Sequence, residues 1–123
     1  MNVSLNHETE HTVERIINLI QEKKGDDIVV LDLRKITSVS DFFVITTGNS
    51  TVHVKAIADE IKEKLKKVDH INPWHVEGYS AQKWILLDYV DIVVHVFDAE
   101  TRSYYSLEKL WDDADFRRIE TKY

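Results

Sequence analysis

Val13, Ile16, Ile17 and Ile20 recur at i, i+3, i+4 and i+7. That spacing draws one apolar stripe along a helix over residues 8–24, with Gly25 as its C-terminal stop. Ile28 to Leu33 is a continuous apolar run rich in β-branched residues, the pattern of a buried strand. Phe42 to Thr47 reads as a second strand after the loop Arg34 to Ser40. Gly48-Asn49-Ser50 then interrupts the pattern, and Val54, Ile57, Ala58, Ile61, Leu65 and Val68 follow at helical spacing. Pro73 to Glu77 predicts an edge strand, because Pro lacks the N–H that an inner strand needs. Two further strands and a short aromatic helix, Ser103 to Trp111, close the series. Helix, strand, strand, helix, strand, strand, strand, helix gives a single α/β (α+β) domain around a mixed five-stranded sheet. Its core spans about residues 8–112, and residues 113–123 form a tail.

The last two strands carry a sharper pattern. With Tyr89-Val90 as a two-residue turn, Asp88 lies opposite Asp91, Leu86 opposite Val93 and Trp84 opposite His95. Alternation then places Ile85, Leu87, Ile92, Val94 and Val96 on one wholly aliphatic face, which helices must cover. The other face holds Trp84, Leu86, Asp88, Asp91, Val93, His95 and Phe97, a mixture of aromatic and acidic groups with the composition of a binding surface. A plainer arrangement folds the C-terminal helix back over this face and buries Trp84 as core. Val90 fits poorly where a primed turn wants positive φ, and an odd-length turn would exchange the two faces.

Charge reinforces the binding reading. Between Asp88 and Asp115 lie eight acids and two bases, while the rest of the chain holds fourteen of each sign, so the whole net charge of −6 falls in one quarter of the sequence. Trp111 lies in that quarter and Trp84 just before it. An acidic surface interleaved with aromatics suits a basic protein partner and opposes attachment to nucleic acid, where phosphates need clustered Lys and Arg. At 123 residues the chain holds one core. The lack of Cys excludes disulfides and thiolate metal sites. Neither a signal-like apolar run nor an 18-residue apolar segment is present, so the expectation is a cytoplasmic protein with no membrane contact.

Catalytic patterns are incomplete. Gly48-Asn49-Ser50 between a strand and a helix could offer backbone N–H groups to a phosphate, yet Asn or Ser there equally serves as an N-cap. Nucleotidyl or phosphoryl transfer would also need a close acidic pair on a neighbouring strand for a divalent metal, and the Asp-x-Asp of the chain, Asp113-Ala114-Asp115, falls in the predicted tail. His7-Glu8-Thr9-Glu10-His11 has the H-E-x-x-H spacing, but it stands at the N-terminal end of the first predicted helix, where ligand status is not expected. His53 or His95 with Ser38 or Ser40 and Asp41 would make a triad only by a coincidence of folding. No cofactor, metal site or catalytic residue is expected.

A longer series of residues resembles one family. Asp32-Leu33, Ser38 to Asp41 leading into Phe42-Phe43-Val44-Ile45, Thr47-Gly48-Asn49-Ser50, His53-Val54, Ala56-Ile57-Ala58 and Glu77-Gly78 are similar to the ribosomal silencing factor, or Iojap, family. So are Trp84-Ile85-Leu86-Leu87-Asp88, Asp91 to Phe97, Arg102, Tyr105 and Leu107-Glu108-Lys109-Leu110-Trp111. The resemblance runs from about Asp27 to Ala114, and Val90 departs from the small residue many members carry there. It implies a nucleotidyltransferase-like fold without transferase activity. It further implies a translational repressor that binds ribosomal protein L-fourteen on the large subunit and blocks joining of the small subunit when nutrients are scarce. Together with the face argument it nominates Trp84 as anchor, with Leu86, Asp88, Asp91, His95 and Phe97 around it and Tyr105, Glu108 and Trp111 at the border. Rival readings are a transfer enzyme at Gly48 to Ser50, a binding module for another basic partner, and a homodimer closed by the same apolar patch.

Overall fold

The computed structural model describes residues 3–123, with side chains from residue 7 onward. The chain runs α1 (Val3–Glu22), β1 (Asp26–Asp32), β2 (Phe42–Gly48), α2 (Thr51–Lys67), β3 (His75–Glu77), β4 (Trp84–Asp88), β5 (Ile92–Asp98), α3 (Ala99–Tyr105), α4 (Leu107–Leu110) and β6 (Asp115–Arg118). The strands form one mixed sheet in the order β3-β4-β5-β2-β1-β6. Only β2 and β5 run parallel, joined through α2, β3 and β4. The fold is thus α+β as the pattern predicts, with six strands in place of five. The sixth lies in the expected tail: Asp115 to Arg118 pairs antiparallel with β1 at the sheet edge. All four of its residues are exposed, so it has no buried alternation to betray it in the sequence.

The aliphatic face predicted for the hairpin faces the main core. Ile85, Leu87, Val94 and Val96 are 0% exposed and Ile92 is 3% exposed, packed with the stripes of α1 and α2. Ser50 caps α2, its Oγ accepting the His53 N–H at 3.1 Å. The stop of α1 differs from expectation. Lys24, at φ 57, takes the left-handed position, and the Gly25 N–H closes onto Ile20 O at 2.9 Å.

The hairpin register is shifted by two residues from the expected one. Asp88 lies opposite Val93, Leu86 opposite His95 and Trp84 opposite Phe97. The turn is centred on Val90-Asp91: the Tyr89 N–H donates to Ile92 O at 2.8 Å, and the Asp91 N–H to Tyr89 O at 3.0 Å. That second bond closes a γ-turn around Val90, whose φ of 74 is the positive value a valine resists. Asp88 Oδ1 secures the corner by accepting the Val90 N–H at 2.8 Å. An even shift preserves the faces, so the sorting of side chains stands although the pairs differ.

Candidate functional site

The second sheet face is covered along part of its width. α3 and α4 bring Leu107 and Trp111 over a smaller core of Val29, Leu31, Leu33, Phe43, Ile45, Val93, Phe97 and Ala114. Asp98 caps α3 by accepting the Thr101 N–H at 2.8 Å, and Ser106, left-handed at φ 48, turns the chain into α4. Arg102, 8% exposed, fastens this cover: Nη1 donates to Asp27 O at 2.6 Å and Thr47 Oγ1 at 2.9 Å, while Nε donates to Glu108 Oε1 at 2.8 Å. The cover stops at β5. On β4 and β3 the face is left partly open, and Trp84 stands at the boundary.

Trp84 is held from three directions. Its ring stacks on Phe97 at 4.8 Å between centroids, meets Tyr105 at 4.9 Å, and its Nε1–H donates to His95 Nδ1 at 3.1 Å. Leu86, like Trp84, is partly buried, and the β3 register sets Glu77 opposite Leu86 and His75 opposite Asp88 on this same face. Sequence reasoning missed His75 and Glu77. Their signal was the strand Pro73 to Glu77, which without a pairing partner could not be assigned a face.

The nominated residues do not form one continuous exposed set. Phe97 is 0% exposed and His95 4%, so both lie beneath the surface. Burial also depresses the imidazole pKa to about 3, keeping His95 neutral. Glu108 turns inward to Arg102, its Oε1 2.6 Å from Nη2. Trp111 is partly buried edge-on to Phe43 at 6.0 Å, whereas Tyr105 is 52% exposed and Asp91 is exposed. Asp88 shares the face of Trp84 but sits at the far end of β4, about 13 Å along the strand.

Topology gathers acids at that far end. Asp115 pairs with Asp32, Asp32 with Phe42, and Phe42 with Ile92, so Asp115, Asp32, Asp41, Asp91 and Asp88 line successive strands along one edge. Burial, with Asp91 nearby, raises the Asp41 pKa, whereas hydrogen bonds from Arg34 hold Asp32 low. Asp112 and Asp113 are exposed just before Asp115. The acidic quarter of the sequence thus becomes an acidic edge, extended by Asp32 and Asp41 from elsewhere in the chain.

The catalytic alternatives are not assembled. Ser50 Oγ is engaged by the cap of α2, and the Asn49 N–H donates to His53 Nδ1 at 2.9 Å. His53 Nε2 lies 2.6 Å from Lys23 O, so both ring nitrogens are occupied. A Cβ on Gly48 would stand 2.8 Å from the Val54 nitrogen, which makes this glycine a packing requirement. Asp26, Asp98 and Glu100 line the same cleft and would repel an anion. Ser40 and Asp41 precede β2 and His53 follows it, about 20 Å away, so no triad forms. Among the described residues no cluster of three or more His, Asp or Glu is placed to hold a metal ion, and no helix is long and apolar enough to cross a membrane.

Comparison with known proteins places this geometry. Residues 6–122 match the family model described as "Ribosomal silencing factor during starvation", which takes in the predicted tail as well as the core. The chain is 42% identical over 104 residues to ribosomal silencing factor RsfS of Halalkalibacterium halodurans, covering 85% of this chain and 88% of that one. It is 46% identical over 93 residues to the RsfS of Bacillus subtilis, covering 76% and 78%. A crystal structure of a Chromobacterium violaceum protein superposes with a TM-score of 0.80 at 35% identity, over 84% of this chain and 85% of that one. A family model spanning nearly the whole chain, relatives of this identity and a shared fold agree: the chain belongs to the ribosomal silencing factor family.

Proposed function

We propose that this protein represses translation in the cytoplasm by binding ribosomal protein L-fourteen on the large subunit, so that the small subunit is sterically kept from joining. The observation that carries the reading is Trp84, a large aromatic braced on three sides yet left at the open margin of a sheet face, as an interface anchor must be. Tyr105, Leu86 and Glu77 border it, and His75 lies farther along the same face, opposite Asp88. The acidic edge from Asp88 to Asp115 adds long-range attraction toward a basic ribosomal protein. Steric occlusion needs no chemistry, no cofactor and no metal. Engagement of Ser50 and His53 in structural bonds supports a binding protein over a transfer enzyme.

Co-sedimentation tests the proposal. The protein should pellet with isolated large subunits and not with small subunits or joined ribosomes, and it should lower the yield of joined ribosomes when added first. Equal pelleting with all three would overturn it.

A further inference from the structure

His95 occupies the middle of a sheet face whose neighbours are Phe43, Trp84, Leu86 and Phe97. An aliphatic residue would fill that place without taking a polar ring out of water. Among the described residues its Nε2 has no hydrogen-bond partner, while Nδ1 accepts from Trp84 Nε1 at 3.1 Å. A neutral imidazole with an accepting Nδ1 carries its proton on Nε2, so the single polar contact of a buried ring is the one it makes to Trp84. The two residues are diagonal neighbours on adjacent strands, since Trp84 is paired with Phe97 and His95 with Leu86. Stacking on Phe97 and contact with Tyr105 fix the plane of the indole, but a half-turn about its Cβ–Cγ bond would keep that plane and exchange the ring edges. The bond to His95 sets which edge points inward.

We infer that His95 is a positioning residue: it never touches the ribosome, but holds the Trp84 indole in its docking orientation and supplies the acceptor that the indole N–H would otherwise lose when a partner excludes water. This inference rests on the docking role proposed for Trp84. Before docking, water at the open margin could satisfy the N–H; afterwards only a protein acceptor can, and leaving the group unpaired would weaken the complex. The acceptor is internal, so it costs no rearrangement on binding.

The test uses hydrogen exchange and affinity together. In the free protein, the Trp84 indole N–H, assigned by its disappearance in Trp84→Phe, should exchange slowly in the parent and in His95→Asn, whose amide oxygen lies near the Nδ1 position. It should exchange fast in His95→Leu. Affinity for purified large subunits should fall about threefold to tenfold in His95→Leu, the worth of one neutral hydrogen bond. In a Trp84→Phe background, which has no N–H to hold, the same substitution should change nothing. If His95→Leu does not fold, His95→Gln, whose amide lies at the Nε2 position, takes its place with the same expectation. Unchanged exchange, or an equal loss of affinity in both backgrounds, overturns the positioning role. Parent-like binding by Trp84→Ala overturns the docking reading and the role of His95 with it, whereas impaired Trp84→Ala beside parent-like His95→Leu overturns the role of His95 alone.

Discussion

Arg102 Nη2 stands 2.6 Å from Glu108 Oε1, an ion pair that ties α3 to α4 across the left-handed Ser106. The same guanidinium reaches Asp27 O in β1 and Thr47 Oγ1 in β2, so one side chain fastens the helical cover to two strands. Replacing Arg102 by Met should strand these acceptors and lower stability by about 3 kcal/mol, the usual penalty for breaking a buried pair from one side. Glu108→Gln keeps an acceptor near the guanidinium and should lose about 1 kcal/mol. Urea unfolding at neutral pH checks both, and equal effects of the two variants would show that the charge of Glu108, and not the bonds to Asp27 and Thr47, carries the stabilisation.

Removing the anchor should separate binding from folding. Trp84→Ala is expected to weaken attachment to large subunits by about 2–4 kcal/mol, the range for a hot-spot aromatic. Because the ring also stacks on Phe97, stability should fall by about 1–2 kcal/mol while cooperative melting persists. Loss of the melting transition would place Trp84 in the core instead of at a surface.

The sequence read well wherever one period ruled. The stripe of α2 and the aliphatic face Ile85, Leu87, Ile92, Val94 and Val96 were legible because burial on one side enforces them. β6 was not, because an exposed edge strand of Asp115, Phe116, Arg117 and Arg118 obeys no burial pattern. The hairpin register was missed for a local reason, since Asp88 captures the Val90 N–H and moves the corner one residue along. The binding face was half legible. Alternation found Trp84, Leu86 and Asp88, but no periodicity reveals that Phe97 and His95 are buried beneath their neighbours or that Arg102 draws Glu108 inward, which depend on how the chain returns across the sheet.

The strained corner should respond to relief. Val90 is 56% exposed and holds φ 74, so Val90→Gly gives up little burial and should raise stability by about 1 kcal/mol. Gly78 offers the opposite case: at φ 94, an added Cβ would stand 1.9 Å from Trp84 O. Gly78→Ala should therefore lower stability by about 2 kcal/mol or more, since backbone strain and collision add. Thermal melting of the two variants in one buffer decides both signs.

Stability should fall in mild acid because of His95. Burial lowers its folded pKa to about 3, against an ordinary value of 6.5 when unfolded. The unfolded chain therefore binds the extra proton first as pH drops. The stabilisation is fully present above pH 6.5 and is lost from there down toward pH 3, at about 1.4 kcal/mol per unit. Phe43, Trp84 and Phe97 pack around the ring and carry no charge to offset this. His95→Asn has no titrating group, so its melting temperature should be flatter between pH 6.5 and 5 than that of the parent. Parallel curves would show that His95 is solvated as it titrates.

The acidic edge should act on the rate of encounter. Asp112, Asp113 and Asp115 are exposed and far from Trp84 in the sheet order, so their fields reach a basic partner before contact is made. Raising salt from about 50 to 300 mM shortens the screening length from roughly 14 to 6 Å, and the on-rate should drop while the off-rate changes little. Reversing Asp112, Asp113 and Asp115 to Lys should slow association at low salt and remove most of its salt dependence. Asp91→Lys is the cleaner probe of the hairpin end, because Asp88 also accepts the Val90 N–H and its loss would loosen the turn itself. If the edge only steers, Asp91→Lys should slow association and leave dissociation near that of the parent; if it touches the partner, dissociation should also quicken by about tenfold, as when a close charge pair is broken. Light-scattering measurements of subunit joining, with circular dichroism to establish folding, separate these outcomes. A reversed-charge protein that joins the large subunit as fast as the parent at low salt would remove electrostatic steering from the proposed mechanism and leave shape at Trp84 as its basis.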